Sequence, residues 1–185
     1  LALDRYESSR GFFPAAHTVD ADGNAMHSWR SDLLPMVEHS ELAERIDFSE
    51  PWDSSENTPI HKTEVPVLLC PSSPEVTTRT NYLGVNGPGS FFYDATKRLR
   101  ADVADGLDKT ISVVDVGPDM PVHWMAPKDL AAEAAESFDE QTRTNHIYVI
   151  QVLFLDGHVE GLSTDVDPVI PPALLTIAAQ DEIAE

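Results

Sequence analysis

The stretch from Asn145 to Leu162, NHIYVIQVLFLDGHVEGL, constrains the fold of this chain more than any other. Val149, Ile150, Val152, Leu153, Phe154 and Leu155 form the most apolar, β-branched and aromatic-rich run of the sequence. Such a run suits a strand covered on both faces. Asp156-Gly157 follows it, a pair suited to a tight primed turn with positive φ at both central residues. His158, Val159, Glu160, Gly161 and Leu162 then alternate polar and apolar, as a return strand with one buried face does. The segment predicts a β-hairpin whose first strand is the central strand of an antiparallel sheet.

The remaining periodicities are short and frequently interrupted by proline. Leu1, Leu3 and Tyr6 fall near one face of a helix that Ser8-Ser9-Arg10-Gly11 ends. Asp20 to Asn24 superficially offers a calcium loop, but counting from Asp20 the glycine stands at the wrong place and Ser31 holds the position that needs Glu. A turn at Asp22-Gly23 is the better reading. Ser28 is placed to cap a helix carrying Trp29, Leu33, Leu34 and Val37, with a break at Pro35. Glu41 to Phe48 reads as a second short helix with Leu42 and Ile46 inward. Ser55 is positioned to cap a third, running through Lys62. Val65 to Cys70 reads as a short strand between Pro66 and Pro71. Thr80 to Val85 and Thr110 to Val116 read as strands, Asn86 to Gly89 as a turn and Ala101 to Asp108 as an acidic turn or helix. A helix over Pro127 to Ser137, a turn at Asp167-Pro168 and a helix from Pro171-Pro172 through Ala179 complete the pattern.

At 185 residues the chain suits one domain, 1–185. Its 32 acidic residues against 12 basic ones give a formal charge of −20, which repels phosphate backbones and argues against nucleic acid as a partner. Cys70 is the only cysteine, so no internal disulfide forms, and an apolar-flanked Cys of this kind reads as a small core residue. The histidines include no HExxH pair; His146 and His158 flank the hairpin, where neighbouring strands allow a transition-metal site between them, but a strand-end His146 bonded to a loop is the better reading. No Gly-x-Ser-x-Gly elbow occurs, and the glycine-rich Gly84 to Gly89 lacks the Lys-Ser/Thr of a phosphate loop. Nothing argues for an enzyme, and no cofactor is expected. Glu50, Asp53 and Glu56 around Pro51-Trp52 offer hard oxygen ligands for calcium. Trp29, Trp52 and Trp124 serve either as core anchors or as flat surfaces for sugar rings.

Several of these segments, in order, resemble one large bacterial family of pilin-like envelope proteins. The matching blocks are LALDRYESSRGFFP, with Gly11, Phe13 and Pro14; SWRSDLLPMVE, with Trp29 and Arg30; EPWDSSEN, with Pro51, Trp52 and Asp53; and Cys70-Pro71-Ser72. TNYLGVNGPG follows, with Asn81, Tyr82, Gly87, Pro88 and Gly89, then DGLDKTI, the Pro127 to Leu130 block and the His-x9-Asp-Gly spacing of His146, Asp156 and Gly157. The family pattern has Pro-Gly-Gly after the His, where this chain has Ile147-Tyr148-Val149. Within the DG…TI block it has Ser-Asn where this chain has Asp108-Lys109.

The resemblance implies an α+β, pilin-like fold in which an N-terminal helix, truncated here, packs on an antiparallel sheet among short helices and irregular loops. It implies a prepilin-type cleavage and methylation signal and a hydrophobic helix upstream of Leu1. That helix would anchor the protein in the inner membrane, with the domain in the periplasm or at the cell surface. Other pilin-like subunits or components of a type II secretion- or type IV pilus-like assembly are the implied partners. The alternative is an envelope binding module that takes a small solute, a glycan or a divalent cation through its acidic, Trp-containing loops.

Overall fold

A computed structural model describes residues 2–73, 77–137, 146, 148–165 and 170–178. In chain order, α1 (Ala2–Arg10) precedes the hairpin β1 (His17–Val19) and β2 (Ala25–Ser28), then α2 (Trp29–Leu33) and α3 (Ser40–Ala43). Next come β3 (Arg79–Thr80), β4 (Tyr82–Asn86), β5 (Ile111–Asp115), β6 (Val122–His123), β7 (Leu130–Ala131) and α4 (Ala132–Ser137). β8 (Val149–Phe154), β9 (Val159–Ser163) and α5 (Ile170–Leu175) close the described chain. The fold is α+β, as expected.

The principal sheet has the order β7-β4-β5-β8-β9. β4, β5, β8 and β9 are antiparallel neighbours, whereas β7 runs parallel to β4 through Val85–Leu130 and Asn86–Ala131. Strand alternation gives the sheet two apolar faces. On one, Leu83, Val85, Val114, Ile150, Val152, Phe154 and Leu162 pack with Ala135 of α4 and with Leu174 and Leu175 of α5. On the other, Val113 packs with Leu3 and Tyr6 of α1, Trp29 and Leu33 of α2, Phe91, Phe92 and Leu155. The segment from Leu34 to Leu68 forms a satellite cluster around Trp124 and Met125.

The hairpin forms in the expected place with a different turn. Phe154 N–H donates to the His158 carbonyl at 3.0 Å and Gly157 N–H to the Phe154 carbonyl at 3.0 Å. The loop is therefore Leu155-Asp156-Gly157, and only Gly157 has positive φ, at 98°. A three-residue loop ending in a left-handed residue needs glycine only there. Asp156 instead accepts the His158 N–H through Oδ1 at 3.0 Å. β8 lies between β5 and the edge strand β9, with β5 in the middle. Nor is β8 closed on both faces, since Val149, Gln151 and Leu153 are only half-buried.

Other expectations shift for local reasons. Pro35 ends α2 as an α-helix, and Leu34–Val37 continues as a 3-10 turn, because proline cannot donate to the ladder. The second predicted helix, 41–48, is reduced to the single turn Ser40–Ala43, although Leu42 and Ile46 are buried as expected. The predicted 55–62 helix is a chain of turns, in which Ser54, not Ser55, accepts the Asn57 N–H. The predicted 65–70 strand holds a 3-10 turn, Pro66–Leu68, started by Pro66 with its preset φ. The helix expected from Pro127 starts at Ala132, because Leu130–Ala131 pairs with β4. The expected features at Leu1, Ile147, Asp167-Pro168 and Ala179 lie outside the described residues.

Candidate functional site

An apolar cavity of about 590 Å3 lies on the sheet face that also carries α1. Ala2, Leu3 and Asp4 of the first helical turn form one rim. Val113, Leu153 and Val159 line it from three adjacent strands. Register explains this floor: Leu153 pairs with Val113 on one side and Val159 on the other, so all three side chains share a face. Val159 is 63% exposed and opens the groove to solvent at the sheet edge.

Three polar side chains meet at this groove: Cys70, Asp115 and His146. Cys70 follows the 3-10 turn Pro66–Leu68, which Thr80 holds through a hydroxyl bond to the Leu68 carbonyl. Asp115 is the last residue of β5, opposite Tyr82 in register. His146 precedes β8. Its Nε2 lies 3.5 Å from Cys70 Sγ and 3.3 Å from Asp115 Oδ2. Cys70 and Asp115 are buried, while the His146 side chain is 30% exposed. The ligand atoms of the three lie within 4.8 Å of one another, the one such His/Cys/Asp/Glu group among the described residues. Burial, followed by the charges of Asp115 and Cys70, pushes the nearby Tyr82 hydroxyl up to about 12.

The geometry differs from a nucleophilic relay. A Cys-His-Asp triad uses one ring nitrogen toward the thiol and the other toward the carboxylate. Here both partners face Nε2.

The sequence places His146 at a strand end, bonded to a loop. Its neighbours are a thiol 76 residues away and a carboxylate 31 away. In the sequence the Cys-Pro-Ser and His-x9-Asp-Gly blocks mark two of the three residues, each without reference to the other. His158 does not join His146; it stacks on Phe154 with centroids 4.2 Å apart and bonds Asp156 through Nδ1 at 2.6 Å.

The remaining candidate residues hold the fold around the groove. Ser28 caps α2 through a bond from the Arg30 N–H at 3.3 Å. Arg30 is fully buried; its guanidinium pairs with Asp129 and donates to the Tyr82 carbonyl at 3.0 Å and the Lys128 carbonyl at 3.2 Å. Trp29 stacks on Phe92 at 4.9 Å and carries the Arg30 guanidinium over its ring at 4.8 Å. Asn81 donates to the Val116 carbonyl, closing the end of the β4–β5 pair. Gly87-Pro88-Gly89 turns the chain out of β4, fastened by Ser90 Oγ, which accepts from Gly87 N–H and lies 2.9 Å from the Val85 carbonyl. Trp52 packs against the rings of His61 and His123, beside Pro51. Trp124 is buried and donates to the Thr63 carbonyl at 2.9 Å. Glu50, Asp53 and Glu56 are exposed, and the Glu56 carboxylate accepts from the Ser55 hydroxyl. The structure does not gather them into a ligand cluster.

Comparison with curated proteins and with solved structures finds no match. The model of the family SBP_bac_10, described as "Protein of unknown function (DUF1559)", matches residues 1–98. That span is more than half of the 185 residues, and the chain belongs to this family.

Proposed function

We propose that this domain is the globular part of a pilin- or pseudopilin-like subunit of the bacterial cell envelope, acting by assembly and not as an enzyme. The observation that carries this reading is the seat of α1. Leu3 and Tyr6 pack it onto one face of the principal sheet, and its first turn rims an apolar groove on that same face. Arg100 ties the exposed side of α1 through Asp4 at 2.8 Å and Glu7 at 3.2 Å. A groove of this kind suits an amphipathic or apolar helix, which gains about 25 cal/mol for each Å2 of apolar surface it covers. A hydrophobic helix leading into α1 would anchor the subunit in the inner membrane. Helices of neighbouring pilin-like subunits or secretion components would cover the groove. The domain then sits in the periplasm or at the cell surface, where a charge of −20 keeps it soluble.

The test is expression of the full-length gene in its own host, with membrane fractionation and mass spectrometry of the mature N-terminus. The expected result is a processed, methylated N-terminus followed by an apolar helix, in a protein that sediments with the inner membrane. A charged upstream region without a cleavage site, or a protein recovered wholly in the soluble fraction, would overturn the proposal.

A further inference from the structure

We infer that Cys70, Asp115 and His146 form a zinc site, with Sγ, Oδ2 and Nε2 as its three protein ligands. The inference stands independently of the assembly role proposed above. Tetrahedral zinc with ordinary Zn–N, Zn–S and Zn–O bond lengths sets its ligands about 3.6 Å apart for N···S and about 3.4 Å apart for N···O. The corresponding separations here are 3.5 Å and 3.3 Å. Both partners lie on the same ring nitrogen, Nε2, and not on opposite nitrogens as in a proton relay, and the third pair, Sγ and Oδ2, lies within 4.8 Å.

The donor set also selects the metal. Thiolate, imidazole and carboxylate together suit a borderline-soft tetrahedral ion, whereas calcium and magnesium prefer oxygen alone. Two ligands are buried, Asp115 at the end of β5 and Cys70 just after the 3-10 turn Pro66–Leu68 and before Pro71. His146 is partly exposed, which leaves a route for the ion from the groove. Asp115 brings a carboxylate, and Cys70 a thiol, to a mostly apolar wall, a donor pair that a dication can hold together. Binding forms a Zn–S bond as the Cys70 thiol loses its proton to solvent. The fourth position belongs to water or to a group entering the groove. With three ligands drawn from positions 70, 115 and 146, the ion ties the proline-rich segment to β5 and to the start of the final hairpin.

Cobalt(II) substitution tests this on the unaltered protein. After chelator treatment and dialysis, Co2+ alone is titrated in and the near-ultraviolet and visible absorption followed, then Zn2+ is added. The expected result is a thiolate-to-cobalt charge-transfer band with intense tetrahedral visible bands, saturating at one ion per chain and bleached by zinc. Zinc should also raise the melting temperature. Cys70→Ser should lose the charge-transfer band, and His146→Ala and Asp115→Asn should each weaken zinc binding by about ten-fold or more. Circular dichroism of the variants separates lost ligation from lost folding. A spectrum of hydrated octahedral cobalt with the wild-type protein would overturn the assignment, as would unchanged zinc affinity in folded Cys70→Ser.

Discussion

Arg30 and Asp129 meet inside the protein, with side chains 0% and 2% exposed, and the contact organises one whole side of the sheet. Asp129 Oδ1 accepts from the Arg30 guanidinium, from the Trp29 indole N–H at 3.1 Å and from the Gly84 amide at 2.8 Å. One carboxylate oxygen thus joins α2, β4 and the loop leading into β7. Burial pushes the Arg30 guanidinium down from its ordinary value, and Asp129 opposes that shift. The tight fit extends to Gly84, where an added Cβ would stand 2.6 Å from Phe92 and 3.3 Å from Asp129.

Asp129→Ala leaves a buried guanidinium without its charge partner and two further donors without an acceptor. The expected loss is about 3–5 kcal/mol of stability. Replacing both partners, as Arg30→Met with Asp129→Leu, should destabilise less than the single change, since no bare charge remains. Denaturant melts of the three proteins check this. Equal losses for single and double variants would mean that packing, and not the ion pair, dominates.

Gly157→Val should cost about 1–3 kcal/mol, because a β-branched side chain is forced into the left-handed region at φ 98°. The loss falls on the β8–β9 pairing, so amide exchange should accelerate across both strands. An unchanged melting temperature would show that the loop relaxes to another turn at no cost.

Tyr148 has φ 60° and is 75% exposed, at the position where the related pattern has glycine. A non-glycine residue there costs about 1–2 kcal/mol, and glycine returns about 0.5–1 kcal/mol of that as backbone entropy in the unfolded chain. Tyr148→Gly should therefore stabilise by about 0.5–1 kcal/mol in a thermal melt. Destabilisation would mean that the tyrosine ring makes contacts outweighing its backbone.

His123 bonds the His61 carbonyl through Nε2 at 3.0 Å and accepts the Met125 N–H at Nδ1 at 3.2 Å, an arrangement that requires the neutral ring. Burial, above all, holds its pKa below the ordinary 6.5, and burial does the same for His27. The unfolded chain therefore takes up these protons first. The stability they support is fully present above about pH 6.5 and falls as the pH drops from there toward the folded-state values. Melting temperature should decline between neutral and mildly acidic pH, and less steeply in His123→Gln. Parallel slopes for the two proteins would exclude His123 as the titrating group.

The local chemistry of the chain determined its hairpin, the strands at 82–86 and 111–115, the Ser28 cap, the break at Pro35 and the turn after Asn86. Each depends on neighbours within a few residues: β-branched runs, an oxygen beside free amides, a proline without an N–H. The acidic composition likewise set the character of the surface before any folding. Tertiary structure decided the remainder. Leu130–Ala131 became a strand because β4 offered a free edge, and Leu153 acquired a half-open face because α1 covers only part of the sheet. The meeting of Cys70, Asp115 and His146 was not legible in the sequence, since separations of 31 and 76 residues leave no local periodicity to mark it. The Trp29-Arg30 pair was visible as a motif, but its reason was not. Its partner Asp129 lies 99 residues beyond Arg30, and only the fold brings one carboxylate to both residues.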